Sequence, residues 1–572
     1  MQLIKILSIC FLLLFPQQVT GNIIVGFPPV DISAPPPPPE VYTETHYVTQ
    51  YGAGAQTGRS LANAWSVANF NNVANWSTNN SVDNRIGPGD VVYFSGTITS
   101  TVIPAGNGII GTGNRITIDG YEAGACNHMS GADSNGALIA VPGTYGIRLE
   151  SRKYIDIQDF RVNNCSSGIY SSVSSSSQTP ENITIRRVSL SDNANGVYLT
   201  SSIAAGTGGK YIIIEDCEVK DTAVGDTSSS KAGLRLANHE DLIIRRNHIW
   251  NSPEVPLVIN GQDGMMVFQS RRVLIEYNRV HHMSEDCVDF KNDAGTEHGD
   301  VVIRFNHFSD ARQSGVTVQH ETGSNAYIYA NKFVGNFEYY PVLVQRGFDT
   351  VYIWSNILVN SQRAGIAAFD QDNLRPIDLI YAYNNTIVDM GNSSTSVYHA
   401  GVRFDNLVSY GEIKNNILVR NNYAQYDTQI SAEWTGRQAE SDYNLFYLDG
   451  VDAPKVRWAG TTYTLTHPVS GTSYHTATGN DEHSSVGAPS FVDQDEYDLR
   501  LTAGSTLAIG TGATLTPPAT WDVPTVQGET ISGVSLATGL DPDNTDWTTT
   551  PPTVNVLTRT GAWDLGAYVY VE

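Results

Sequence analysis

Cysteine is scarce in this chain, with five in 572 residues. Cys10 falls in an N-terminal apolar run, while Cys126, Cys165, Cys217 and Cys287 are widely spaced and match no zinc pattern. A disulfide-dense scaffold and a zinc module are therefore excluded; these residues read as small core fillers, with one disulfide among them left open. Basic residues are few as well. The 34 Lys and Arg against 58 Asp and Glu give a formal charge of −24, or −25 without Lys5, a poor match for nucleic acid or an anionic membrane. Long apolar runs are missing after MQLIKILSICFLLLF, so no later segment is long enough to span a bilayer. What remains is 41% hydrophobic and only 16% charged overall, the composition of a chain that buries a long core.

The first residues carry one Lys, an apolar stretch and a polar stretch ending in Val-Thr-Gly, which reads as a secretory signal over residues 1–21. Cys10 lacks the small neighbours that a lipid-anchored precursor needs. Residues 22–41 contain ISAPPPPPEV, a stiff polyproline spacer. The mature protein is expected to be secreted, extracellular or periplasmic, and monomeric.

Asparagine is what the sequence has in order. Asn247, Asn278, Asn306, Asn331, Asn356, Asn385 and Asn416 each close a phrase of alternating β-branched and aromatic residues, such as VLIEYN and VYIWSN, in steps of 31, 28, 25, 25, 29 and 31 residues. Phe160, Val188 and Cys217 fill the same slot earlier. A drifting period of this size, with strand patterning, is the mark of a solenoid built from strands. A second strand phrase recurs in each period, including CVDFK at 287, GVTVQ at 315, PVLVQ at 341 and GIAAF at 365. Short strands joined by Gly, Asn, Asp and Ser bends predict an all-β, right-handed parallel β-helix with coils about 4.8 Å apart. The asparagines are then inward ladders that satisfy their own amides, with no catalytic part.

The expected organisation is an N-terminal cap and first coils over 42–115, the β-helix over 116–440, and final coils with an irregular cover over 441–572. The asparagine rhythm is read as ending near residue 440. The text YVTQYGAG, GRSLANAWS and GPGDVVYFSGT resembles the N-terminal part of many secreted β-helix carbohydrate enzymes, in which a helix caps the first coil; such a cap shields an edge that would otherwise pair with another chain.

Chemistry must come from outward residues and bends. In MSEDCVDFKNDAG, Val288 and Phe290 alternate inward, leaving Asp289 and Lys291 outward and roughly 7 Å apart along the strand. Glu285 and Asp286 stand at the preceding bend, and Asp263 at the comparable bend one coil below. Four carboxylates in one patch repel unless a cation sits among them, and Ca2+ is the economical choice for oxygen ligands. Farther along the same surface come Gln319 and His320, then Gln345 and Arg346. His320 is a candidate proton donor and Arg346 a candidate clamp for a substrate carboxylate. Tyr339 and Tyr340 rival His320 as donors, and with Arg312, Gln319 and Gln345 they are candidate substrate contacts. Trp250, Tyr327, Tyr352 and Trp354 either stack on sugars or belong to internal stacks. The bases Arg271, Arg272, Arg279, Lys291, Arg304, Arg312, Lys332, Arg346 and Arg363 form a strip suited to a polyanion, or else simply solvated surface.

The EDCVD phrase with Asp263 upstream resembles the calcium cluster of family 9 pectate lyases. The stretch from Asp286 through Lys291 to VTVQHETG also resembles family 6 alginate and chondroitin lyases, in which an acidic calcium ligand precedes a catalytic Lys by five residues. These resemblances imply Asp286 as a metal ligand and Lys291 as Brønsted base. The match departs from family 9 near Thr317, where that family keeps its base, and from family 6 at Gln319, which stands for an Arg. The resulting expectation is a Ca2+-assisted lyase that cleaves an acidic polysaccharide by β-elimination. A β-helix glycoside hydrolase, a uronate epimerase and a non-catalytic carbohydrate-binding adhesin stay open as alternatives.

Overall fold

The computed structural model describes residues 43–571 except 80–83, 110–113, 121–135, 174–178, 202–208, 223–230, 253–261, 293–298, 321–322, 370–375, 392–398, 406–407, 422–427, 433–437, 450–451 and 519–523. The expected signal, the linker and Cys126 lie outside the described residues. Among the described residues, parallel strands stack into three long sheets of 15, 13 and 14 strands, here called I, II and III. One coil shows the plan: Arg271–Glu276 in sheet I, Arg279–His281 in sheet III, then Val288–Lys291 in sheet II. The next coil repeats it with Val301–Arg304, His307–Ser309 and Val316–Gln319. Alternate residues point inward, so Val273, Ile275, Val280, Val288 and Phe290 stack with their equivalents above and below in a continuous dry core.

The corner between sheets I and III explains the asparagines. The residue before each rung is left-handed: φ is 55° at Arg246, 54° at Tyr277, 60° at Phe305, 51° at Ala330 and 54° at Ser355. A left-handed L-residue costs about 1–2 kcal/mol. Across the bend, Asn306 Oδ1 accepts from both the backbone N (2.9 Å) and Nδ2 (3.0 Å) of Asn278, while Asn306 Nδ2 donates to Ile275 O at 2.9 Å. The same pattern runs through all seven expected rungs, which are fully buried. Their buried polar groups are thereby satisfied, and the strained corner is held by bonds that a smaller or apolar side chain cannot make.

The asparagine ladder runs four residues past 440 and ends there. Asn444 is an eighth rung, accepting from Asn416 N (3.0 Å) and Nδ2 (3.1 Å), and its own N donates to Ser484 Oγ at 2.8 Å. At the other end Cys217 N donates to Asn247 Oδ1 at 3.0 Å. Cys165, Cys217 and Cys287 are free buried thiols, as core filling requires. The first coil is closed by the four-residue helix Val67–Phe70, N-capped by Ser66 Oγ, with Val67 and Phe70 buried against Trp65 and Trp76. No helix among the described residues is long and apolar enough to cross a membrane.

After Ser485–Val486, the last strand of sheet III, the chain covers the outer surface of sheets I and III. Gln527 N donates to Asp241 Oδ1 (2.6 Å), Trp354 Nε1 to Ser535 O (3.0 Å), Ser355 Oγ to Thr538 O (2.6 Å), and Asn415 Nδ2 to Ala513 O (2.8 Å). The corner residues therefore grip this cover on one side while the asparagine rungs hold the core on the other. Tyr327, Tyr352 and Trp354 lie beneath it, fully buried, with Tyr327 stacked on Tyr352 at 5.3 Å and Tyr329 on Trp354 at 4.0 Å. Trp250 is half-buried beside His248 and His281, under the Lys220 ammonium. Tyr327, Tyr352 and Trp354 therefore belong to buried stacks and are not sugar platforms.

The expected basic strip also dissolves. Arg271 and Arg272 pair with Glu240 and Asp241 on sheet I, Arg304 binds Glu276 and Tyr329, and Arg279 holds Thr548 of the cover. Of the nine, Lys291 alone sits in a strand of sheet II; Arg312, Arg346 and Arg363 stand at its margins.

Candidate functional site

Among the described residues the C-terminal cover bonds to sheets I and III and their corners, and two outward rows run along sheet II. One row is Met266, Asp289, Thr317, Leu343 and Ala367; the other is Phe268, Lys291, Gln319, Gln345 and Phe369. Strict register puts the polar part of the second row on consecutive coils, about 4.8 Å apart.

At the lower end of the rows, Asp263, Asp286 and Asp289 each bring a carboxylate oxygen within 4.8 Å of the other two, all buried. Asp263, expected at a bend, lies near the start of the strand Gln262–Phe268; its Oδ1 accepts from Asp286 N at 3.0 Å, and Asp286 Oδ1 accepts from Ser314 N at 2.8 Å, so each aspartate caps the coil above it. Asp263 Oδ2 is then buried with no hydrogen-bond partner, an arrangement that costs free energy unless a cation satisfies it. Burial, then the neighbouring Asp289 and Asp286 charges, push the Asp263 carboxyl well above the usual range. Burial and Asp289 push Asp286 to about 7. An all-oxygen, hard donor set of this charge fits Ca2+. Glu285, the fourth expected ligand, stands outside the three-residue group; its carboxyl is half-buried and 3.5 Å from Gln313 Nε2.

A pH dependence follows from those shifts. Two carboxyls with folded pKa values above the ordinary value near 3.9 stabilise the cation-free fold at low pH, and for Asp286 that contribution is lost as pH rises through about 7. Cation binding requires the ionised forms and releases protons below that range. The rise in Tm produced by saturating Ca2+ is therefore expected to be a few degrees at about pH 8 and markedly smaller at about pH 5. Thermal melts with and without Ca2+ check this, and equal shifts at both pH values would contradict it.

Lys291 Nζ bonds Asp289 Oδ2 at 2.8 Å, so the side chains close the gap that strand rise opens between their backbones. Burial alone would lower the ammonium, but Asp289, reinforced by Asp286 and Asp263, raises it above the ordinary value. The side chain is 37% exposed, whereas Asp289, Thr317, Leu343 and Ala367 in the neighbouring row are buried. One coil up, Gln319 with its amide oxygen toward Arg346 accepts from Nη2 (2.5 Å) and Nε (3.0 Å) and donates to Gln345 Oε1 at 3.0 Å. Lys291, Gln319, Gln345 and Arg346 thus form one polar row above the carboxylate group.

His320 is not on that surface. It follows the last strand residue, Gln319, where alternation ends, and its ring is 1% exposed, tilted against Phe348 at 5.6 Å with Nε2 3.0 Å from Ser324 Oγ. Buried in the corner, it cannot hand a proton to a polymer lying on sheet II. Tyr340 is also buried, and burial raises its phenol. Tyr339 is half-buried under the Arg363 guanidinium at 4.0 Å, and Arg312 Nε is 3.3 Å from Glu338 Oε1. These three residues mark the margin of sheet II away from the Lys291 row.

Residues 178–358 match the family model described as the right handed beta helix region. The solenoid is a right-handed parallel β-helix. No curated protein matches the sequence. Solved structures similar to this β-helix include the native GH136 lacto-N-biosidase from Eubacterium ramulus, at 11% identity over 70% of this chain and 67% of that one, with a TM-score of 0.41. The pectate lyase Pel9A covers 93% of this chain and 97% of its own at 15% identity, with a TM-score of 0.34. A mannuronic acid specific polysaccharide family 6 lyase from human gut microbiota covers 73% and 83% at 12% identity, with a TM-score of 0.37. Polysaccharide lyases and glycoside hydrolases thus both stand among the solved structures similar to this β-helix, and at such identities and TM-scores they say nothing of its chemistry.

Proposed function

We propose that this β-helix is a secreted lyase that cleaves an acidic, uronate-containing polysaccharide by Ca2+-assisted β-elimination on the outer face of sheet II. The observation that carries this reading is the contact of Lys291 with Asp289, a member of the buried carboxylate group whose Asp263 oxygen lacks any partner.

Asp263, Asp286 and Asp289 would hold the cation, and when bound it supplies positive charge that neutralises a substrate carboxylate and lets electron density spread onto it. Arg346, whose guanidinium bonds the Gln319 amide, would supply positive charge toward a carboxylate of the polymer. Once Asp289 is committed as a ligand, it no longer holds the Lys291 proton; burial then dominates and lowers the ammonium. Neutral Lys291 takes the proton α to the substrate carboxylate, the electron pair forms the new double bond, and the glycosidic C–O bond breaks. The leaving oxygen takes a proton from water at that face.

Incubation with alginate, pectate and glycosaminoglycans tests the reading. Elimination leaves a conjugated, unsaturated uronate, so ultraviolet absorbance is expected to rise with at least one of these polymers in Ca2+ and to stop on chelation. New reducing ends without that absorbance would make the protein a hydrolase, and binding without any product would make it a carbohydrate-binding stalk.

A further inference from the structure

At the capped end of the β-helix, polar side chains occupy positions where later coils place Val and Ile. In the strand Thr45–Thr49, His46 and Val48 point inward, and His46 pairs with Val92 of the next coil. Glu44 stands just before that strand and Asp90 just before Val91–Phe94. Exposure is 6% for Glu44, 0% for His46 and 3% for Asp90, and a donor atom from each lies within 4.8 Å of the other two. Burying two carboxylates beside an imidazole is expensive unless something joins them.

The side chains are fixed so that one edge of each faces a common point. Glu44 Oε1 is held by Arg59 Nη2 at 2.7 Å, which leaves Oε2 buried, without a hydrogen-bond partner and 3.9 Å from His46 Nε2. Asp90 Oδ1 accepts from Glu44 N at 2.7 Å, and Oδ2, which accepts from Gly87 N at 2.7 Å, lies 3.4 Å from the same imidazole nitrogen. The His46 ring stacks on Trp65 at 4.9 Å and 13°, and its Nδ1 has no partner, so Nε2 makes the ring's polar contact. A separation of 3.4 Å is long for a hydrogen bond. It matches donors spaced about 3.4 Å apart around a tetrahedral ion with bonds of about 2.1 Å. Carboxylate ligands braced by a backbone N–H and an arginine are the outer support such an ion needs.

We propose that Glu44, His46 and Asp90 form a second cation site, for Zn2+, that staples the neighbouring strands Thr45–Thr49 and Val91–Phe94 of sheet I. The imidazole nitrogen separates it from the all-oxygen group at Asp263, Asp286 and Asp289, which suits a harder ion. The staple joins the segments before and within Thr45–Thr49 to the start of Val91–Phe94, at the end of the solenoid where an open edge would otherwise pair with another chain. It is independent of any reading of the Lys291 face.

The test uses the full chain saturated with Ca2+ and titrated calorimetrically with Zn2+ alone. One Zn2+ per chain is expected, with a rise in Tm. His46→Gln is expected to weaken binding by more than about 100-fold, and Glu44→Gln to lose the rise in Tm. X-ray absorption at the zinc edge of the wild type, which needs no variant to fold, is expected to show one imidazole and a shell of oxygens without sulfur. Absence of Zn2+ uptake, a zinc shell without imidazole, or undiminished uptake by folded His46→Gln would each overturn the proposal.

Discussion

Lys291→Ala is expected to lower kcat for the proposed uronate elimination by about 10²–10⁴-fold, the range supplied by a positioned general base, while Ca2+ is still expected to raise Tm. The informative companion is Lys291→Arg. Arginine keeps the positive charge beside Asp289 but does not give up its proton in proteins, so it supports electrostatic binding and not proton abstraction. If Lys291 is the base, both variants are inactive and substrate affinity survives better in Lys291→Arg than in Lys291→Ala. Initial rates by ultraviolet absorbance, with KM and kcat separated, read this directly. An active Lys291→Arg enzyme would reassign the residue as a carboxylate clamp and move proton abstraction elsewhere on sheet II.

The second large effect is on the fold. Asn331→Ala removes the acceptor of Asn306 N (3.0 Å) and Nδ2 (3.0 Å) and the donor to Ile303 O (2.9 Å) and Asn356 Oδ1 (3.1 Å). Each buried polar group left unmade costs about 1–3 kcal/mol, and the left-handed Ala330 corner loses the bonds that hold it. A loss of about 3–5 kcal/mol is expected, concentrated in the coils on either side because each coil touches only its neighbours. Urea unfolding gives the magnitude, and hydrogen exchange shows whether the amide of Asn306, which donates to Asn331 Oδ1, loses protection first. A change under about 0.5 kcal/mol would make the ladder a mere filler.

The ladder was legible in the sequence because asparagine recurs at its slot from Asn247 to Asn416, although Phe160, Val188 and Cys217 hold the same slot behind equally left-handed residues in the earlier coils. The residue before it was not legible. Arg246, Tyr277, Phe305 and Ser355 share a left-handed backbone and no side-chain chemistry, since the corner asks only that the side chain point away from the core. Alternation gave Asp289 and Lys291 their face correctly, and equivalent positions in successive coils gave Asp263 and Asp286. It misled at His320, one residue past the strand end, where the bend turns the ring inward onto Phe348. It also placed Tyr352 and Trp354 outward, which they are, but the cover that buries them arrives about 180 residues later, as in Trp354 to Ser535, and no local pattern announces it. The Glu44, His46 and Asp90 group had a signal that went unread: His46 stands where the strand alternation calls for an apolar residue.

A cation at Asp263, Asp286 and Asp289 is proposed to turn Lys291 from a paired ammonium into a base. Nitrogen-15 NMR of the lysine side chains, with Lys291 assigned by its loss in Lys291→Arg, measures that proton directly across a pH titration. The account expects the Lys291 pKa to lie above the ordinary lysine value without Ca2+ and to fall below it when Ca2+ is bound. A Lys291 pKa unchanged by Ca2+ binding would contradict it.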